Sequence, residues 1–208
     1  RRALVALHGL FGASSNWQPV AKELADAFRI VVPDLRNHGR SFHSPEMDYP
    51  LMADDVLRLL DGLGLEEVCL LGHSMGGMVA SRFALTYPER VARLILLNPI
   101  GLEDYLDYST YPEISDAYQR ELQQTDEGII SYQKRNYYDG AWSEEYEALT
   151  IPLRGWIHGP DKELMAYTSA LTYDMILTQP VVDDFPEISV PTTFILGTRD
   201  RTGPNRAN

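Results

Sequence analysis

Apolar positions along this chain fall into short, nearly continuous runs separated by longer stretches of helical spacing. Ala3-Leu-Val-Ala-Leu7, Arg29-Ile-Val-Val-Pro33, Val68-Cys-Leu-Leu71 and Val91–Leu97 are such runs, each bounded by turn-forming residues. This is the pattern of strands buried on both faces. Between them, residues 17–28 alternate apolar and polar at helical spacing. Met52, Val56, Leu59, Leu60 and Leu63 mark one face of a helix over Leu51–Leu63, and Met75–Tyr87 reads as a small-residue-rich helix stopped by Pro88. Strands that alternate with helices through short connections predict an α/β fold, a mostly parallel sheet covered by helices on both faces.

After Pro99 the rhythm changes. Residues 101–186 contain no convincing buried strand and are rich in Tyr, Trp, Asp and Glu, with twelve acidic residues against three basic ones between Gly101 and Thr150. Helical patches are expected at Ile114–Gln124, Glu127–Tyr137 and Lys162–Thr172, and the strand rhythm resumes at Thr192-Thr-Phe-Ile-Leu196. The predicted organisation is therefore a core formed by residues 1–100 and 187–208, interrupted by a helical insertion over residues 101–186.

Composition narrows the function classes. The 208 residues are 44% hydrophobic and 23% charged, ordinary values for a globular protein. A formal net charge of −12 argues against a nucleic-acid partner, because phosphate binding needs a basic face. No apolar run is long enough for a membrane span. The one cysteine, Cys69, lies within an apolar run and reads as a small buried hydrophobe. It can form neither an intrachain disulfide nor a thiolate metal cluster, and a cytoplasmic location is expected, with an exported form that has lost an N-terminal leader as the alternative. No cofactor is expected.

The chemistry concentrates at Leu70-Leu-Gly-His-Ser-Met-Gly-Gly77, which contains Gly72-x-Ser74-x-Gly76 between an apolar run and a helix. A serine on a sharp strand-to-helix turn sits in a strained backbone conformation, and residues two before and two after it have no room for a Cβ. The turn lifts the Ser74 hydroxyl above the sheet edge, and the helix behind it aims backbone N–H groups at developing negative charge. His8-Gly9-Leu10-Phe11-Gly12 follows the first apolar run and can present a second N–H beside that turn. Leu10 and Met75 are the expected oxyanion donors.

These residues resemble the α/β-hydrolase superfamily, and within it the small capped esterases and lipase-like hydrolases. The resemblance rests on Leu7-His-Gly-Leu10, Ser14-Ser-Asn-Trp17, Pro33-Asp-Leu-Arg-Asn-His-Gly-Arg-Ser41, Gly72–Gly77, Tyr87-Pro-Glu-Arg-Val91 and Ile195-Leu-Gly-Thr-Arg-Asp200, which occur in family order. It implies Ser74 as nucleophile, Asp200 as the acid of a catalytic triad, a structural role for Asp34, and a helical cap formed by residues 101–186. The expected substrate is a neutral, moderately hydrophobic ester or related acyl compound held in a pocket lined by Phe11, Trp17, Trp142, Trp156 and Tyr173, with Met75, Tyr105 and Met175 nearby. Carbon–carbon bond hydrolysis, perhydrolysis or ligand binding without catalysis are alternatives on the same scaffold.

The triad order in this fold is Ser, Asp or Glu, then His. No histidine follows Asp200. His8, His38, His43 and His73 sit in turns and loops near the strands, and His158 alone has freedom to swing over the site from the insertion. A chain truncated at both ends, with the base beyond Asn208, is the expectation. The residues leave oligomeric state open.

Overall fold

The computed structural model describes residues 1–198, Asp200 and Thr202. Arg199, within the Ile195–Asp200 run, and Arg201 and residues 203–208 of the predicted core lie outside the described residues. Five strands form one parallel sheet: β1 (Arg2–Leu7), β2 (Phe28–Val31), β3 (Val68–His73), β4 (Val91–Leu97) and β5 (Thr192–Ile195), in the order β2-β1-β3-β4-β5. The period of two in a strand sorts side chains to opposite faces. In β1, Val5 and Leu7 join a core cluster on one face, and Leu4 and Ala6 join a second on the other.

Helix α1 (Gln18–Leu24) covers the second face, where Trp17 and Leu24 pack with Leu4, Ala6, Cys69 and Leu71. Helices α2 (Tyr49–Gly62) and α3 (Met75–Thr86) cover the first. The Asp48 carboxylate caps α2 by accepting from Leu51 N at 2.7 Å, and Pro50 occupies its first turn. Its stripe of Met52, Ala53, Val56 and Leu60 is buried against the sheet. The helix closes in a Schellman arrangement around Gly64, with Leu65 N donating to Leu60 O at 2.9 Å.

Strand order sets where a site can form. From β1 the chain steps outward to β2, then crosses back over β1 to β3 and continues through β4 to β5. Connections therefore leave β1 and β3 in opposite directions, opening a crevice at their carboxyl ends.

Between β4 and β5 the described residues are helical: α4 (Ile114–Leu122), α5 (Asp126–Asn136), α6 (Glu144–Leu149), α7 (Ile151–His158) and α8 (Lys162–Thr178), with short 3₁₀ turns at either end. The expected patches at α4 and α5 match within a residue or two. Helix α8 runs six residues beyond the expected Thr172, because the apolar positions continue through Met175 and Ile176 into the main core. Its polar residues Thr168, Ser169 and Thr172 are buried too, and Thr172 satisfies its hydroxyl by donating to Thr168 O at 2.8 Å. Strand β5 forms where expected, yet Phe194 and Ile195 remain about half exposed at the edge of the described sheet. Among the described residues no helix is long and apolar enough to cross a membrane.

Met175 is fully buried on α8 against the sheet core. Truncating a buried methionine to alanine typically costs about 2–5 kcal/mol. Chemical denaturation of Met175→Ala should show a loss in that range in one transition shared by core and insertion. A separate early transition would show that α8 is not part of the core.

Candidate active site

Ser74 stands at the carboxyl end of β3, beside the crevice, with φ 54° and ψ −122°. A positive φ is costly for a residue with a side chain and persists only where the surroundings over-determine it. Here they do. Ser74 N donates to Leu97 O at 3.3 Å, while Ser74 O accepts from Gly77 N at 2.8 Å and Ile100 N at 3.3 Å. A Cβ on Gly72 would overlap Gly76 O and lie 2.7 Å from Gly77 Cα, and one on Gly76 would lie 2.5 Å from His8 O. Both glycines of the elbow are thus required by close backbone approach. Met75, fully buried, is the first residue of α3, so its N–H has no partner within the helix.

The second predicted donor comes from the turn after β1. Gly12 N donates to Gly9 O at 3.0 Å and closes the turn Gly9–Gly12. A Cβ on Gly9 would lie 2.9 Å from Ser74 Cβ, so the turn rests directly on the Ser74 turn. His8 braces it from beneath. Its Nδ1 lies 2.8 Å from Gly9 O, and its Nε2 accepts from Leu35 N at 2.9 Å, which assigns the proton to Nδ1. Burial holds the His8 imidazole below its ordinary pKa.

The polar run Pro33–Ser41 forms a strut under this turn. Burial alone would raise the Asp34 carboxyl, but hydrogen bonds from Ser14 N at 2.6 Å and Arg40 N at 3.0 Å hold it below the usual range. Arg36, largely buried, makes a two-pronged ion pair with Asp55 of α2 at 2.7 and 3.0 Å. His38 is fully buried, lies 5.1 Å from His8 between ring centroids, and sets Nδ1 2.8 Å from Arg36 O, while its Nε2 has no protein partner.

Asp200 follows β5 on the same edge of the sheet, exposed, with Oδ1 accepting from Thr202 N at 2.9 Å and Thr202 Oγ1 at 2.7 Å. It borders a cavity of about 240 Å³ with Asn98, Pro99, Glu103 and Tyr105. Asn98 Oδ1 accepts from Gly197 N at 2.6 Å and so ties the ends of β4 and β5 together. Protein packed around the His73 imidazole lowers its pKa, with the Asp200 charge acting in the opposite sense, so the carboxylate is felt one residue from Ser74.

A family model described as alpha/beta hydrolase fold matches residues 2–208. The chain belongs to the alpha/beta hydrolase fold family. A solved structure of a probable hydrolytic enzyme from Pseudomonas aeruginosa superimposes with a TM-score of 0.90 at 37% identity, covering 97% of this chain and 66% of that one. Among curated relatives, the mouse sn-1-specific diacylglycerol lipase ABHD11 is 44% identical over 103 residues, 48% of this chain and 34% of the relative. Esterase YbfF of Escherichia coli is 28% identical over 153 residues, 67% of this chain and 60% of the relative. The matches thus span between about a third and two thirds of these proteins' own lengths.

Within this hydrolase fold the remaining expected site residues separate. Phe11 and Trp156 meet, with ring centroids 5.8 Å apart. Trp17 does not line an open pocket: it is 6% exposed in the α1-side core, where apolar neighbours surround it, and only its ring edge reaches His73 at 6.4 Å. Trp142 meets Tyr138 edge-on and Tyr146 at a tilt inside the helical insertion, where the two tyrosines stack on each other. Tyr105 and Met175 are buried, the Tyr105 hydroxyl accepting from Gly101 N at 3.0 Å. Tyr173 stays 39% exposed, and surrounding protein pushes its phenol well up. Tyr137 at the end of α5 is exposed as well, and its phenol is raised mainly by surrounding protein, with the Asp200 charge acting in the same sense. Its helix was expected, but nothing in the local spacing says which face looks toward Asp200.

Among the described residues no hydrogen bond reaches Ser74 Oγ. His158, the one histidine expected to have freedom to swing, is engaged elsewhere, with Nε2 2.7 Å from Asp126 Oδ1. His8 has both ring nitrogens occupied by the brace.

Burial lowers the His38 imidazole from 6.5 to about 4. The unfolded chain therefore binds a proton that the folded chain refuses between those values, and stability is lost as pH falls from about 6.5 towards about 4. Unfolding free energy should drop by about 2–3 kcal/mol between pH 7 and 4.5 on this account, with His8 adding in the same sense. Denaturation curves of His38→Asn should show a flatter pH slope. An unchanged slope would remove His38 from the account.

Proposed function

We propose that this chain carries the nucleophile, oxyanion donors and triad acid of a serine esterase acting on neutral, moderately hydrophobic carboxylic esters. The reading is carried by one observation: Ser74 is held at positive φ at the switch point of the sheet, with the Gly9 turn pressed against it. The esterase and diacylglycerol lipase names of the relatives support a neutral ester as substrate. In this reading residues 1–100 and 187–208 form the core, and residues 101–186 form a cap that brings Phe11, Trp156, Tyr137 and Tyr173 around the acyl or alcohol group.

Ser74 Oγ bonds to the ester carbonyl carbon as its proton passes to an imidazole oriented by Asp200. The carbonyl oxygen becomes an oxyanion and accepts from Leu10 N–H and Met75 N–H, donors that need no reorganisation. The C–O bond to the alcohol breaks, and the alcohol departs with the proton held by the imidazole. Water then attacks the acyl-serine, the carboxylic acid leaves, and the Ser74 hydroxyl is restored. In the order Ser, Asp, His that this fold uses, that imidazole belongs to a histidine.

Hydrolysis of 4-nitrophenyl butyrate and labelling by a fluorophosphonate, followed by intact mass, test the proposal. Turnover should fall by about 10⁴-fold or more in Ser74→Ala, with loss of the single adduct, and by about 10⁴-fold in Asp200→Asn at neutral pH. Turnover that survives Ser74→Ala, or an adduct on another residue, rejects it.

A further inference from the structure

The turn that presents Leu10 contains an anomaly. Gly9 O accepts from Gly12 N at 3.0 Å, which places Phe11 third in a four-residue turn, and Phe11 has φ 58°. That position at positive φ ordinarily goes to glycine or asparagine, because a side chain there is strained. The relaxation open to a bulky L-residue is a flip of the Leu10–Phe11 peptide, which reverses a dipole directly beside the Leu10 N–H. Something must hold the strained form.

The ring of Phe11 supplies a handle. It is half-buried against Trp156 of α7, with centroids 5.8 Å apart and planes inclined by 48°. Helix α7 is clamped on its other side. Arg154 and His158, four residues apart and so on one face, both engage Asp126 of α5, at 2.9 and 2.7 Å. Trp156, midway between them in sequence, projects from the opposite face. Helix α7 thus stands between an ion-pair anchor within the insertion and the strained turn of the core. On the core side the turn has no slack, since a Cβ on Gly9 would lie 2.9 Å from Ser74 Cβ.

We propose that Trp156 is a positioning residue that acts through Phe11 to hold the turn in the conformer that aims Leu10 N–H at the oxyanion. This rests on the serine-esterase reading and adds to it that the helical insertion sets oxyanion geometry, besides shaping the pocket. The contact couples the two parts of the chain: a displacement of α7 releases the ring and lets the turn relax. A phenylalanine at a position suited to glycine is thereby accounted for by its ring.

The test is a double-mutant cycle in the full protein, with 4-nitrophenyl acetate, butyrate and octanoate as substrates. Trp156→Ala should lower kcat by about tenfold or more on all three esters, beyond any change in KM from the lost pocket wall. Trp156→Phe should recover most of the loss. Phe11→Gly suits the turn without help, so adding Trp156→Ala to it should change kcat by less than about twofold. Amide exchange over residues 8–14 should quicken roughly tenfold in Trp156→Ala, a readout independent of turnover. If Trp156→Ala does not fold, Trp156→Leu takes its place in both backgrounds. A loss confined to KM, or one graded by acyl length, would make Trp156 a pocket wall only and overturn the proposal. So would an equal loss in the Phe11→Gly background, or unaltered exchange. Absence of any Ser74-dependent turnover in the wild type, with exchange still coupled to Trp156, would instead reject the esterase reading and leave the mechanical link.

Discussion

Three backbone segments meet at the carboxyl end of the sheet with no space for side-chain carbons between them, and the rest of the site follows from that contact. The turn after β1 lies on Ser74, the start of α3 lies on the end of β1, and Gly72 lies under Gly76 and Gly77. Hydrogen bonds from β4 and from the segment after it fasten the Ser74 backbone from a third side. Strain of this kind costs on the order of 1–3 kcal/mol and survives because a buried sheet core fixes every partner. That exchange of local stability for geometry is what fixes Ser74 at the end of β3, with the turn after β1 pressed against it.

Polar burial serves the same end. His8, Asp34, Arg36 and His38 would be odd tenants of a core chosen only for stability, since each carries a desolvation cost. Together they brace the loop after β2 against the turn after β1 and against α2, through His8 to Leu35, Asp34 to Ser14 and Arg36 to Asp55. The neutral His8 imidazole suits this role, because a ring that donates from one nitrogen and accepts at the other links two backbones at fixed separation. The consequence is a site whose scaffold weakens as its histidines are protonated.

Much of this was readable from residue order alone. Continuous apolar runs marked β1 to β4, because a strand buried on both faces has no reason to alternate, and the Gly-x-Ser-x-Gly spacing between a strand and a helix marked the elbow. What escaped was whatever depends on contacts distant in sequence. Helices α6 and α7 are short and flanked by exposed Leu149 and Ile151, so they carry little periodicity, although Ser143 before three glutamates was a usable cap signal. The end of α8 was obscured by buried threonines that bond to their own helix. Trp17, expected in the pocket as one of several aromatic candidates, is buried in the core cluster on the α1 side of the sheet.

The central claim is that Ser74, Leu10 and Met75 form one preorganised oxyanion site. The most direct measurement is a crystal structure of the protein after reaction with a fluorophosphonate, whose phosphonyl oxygen stands where the oxyanion of an ester would. The account predicts phosphorus bonded to Ser74 Oγ, with that oxygen about 2.7–3.1 Å from both Leu10 N and Met75 N. An adduct on another side chain, or an oxygen turned away from either N–H, would contradict it.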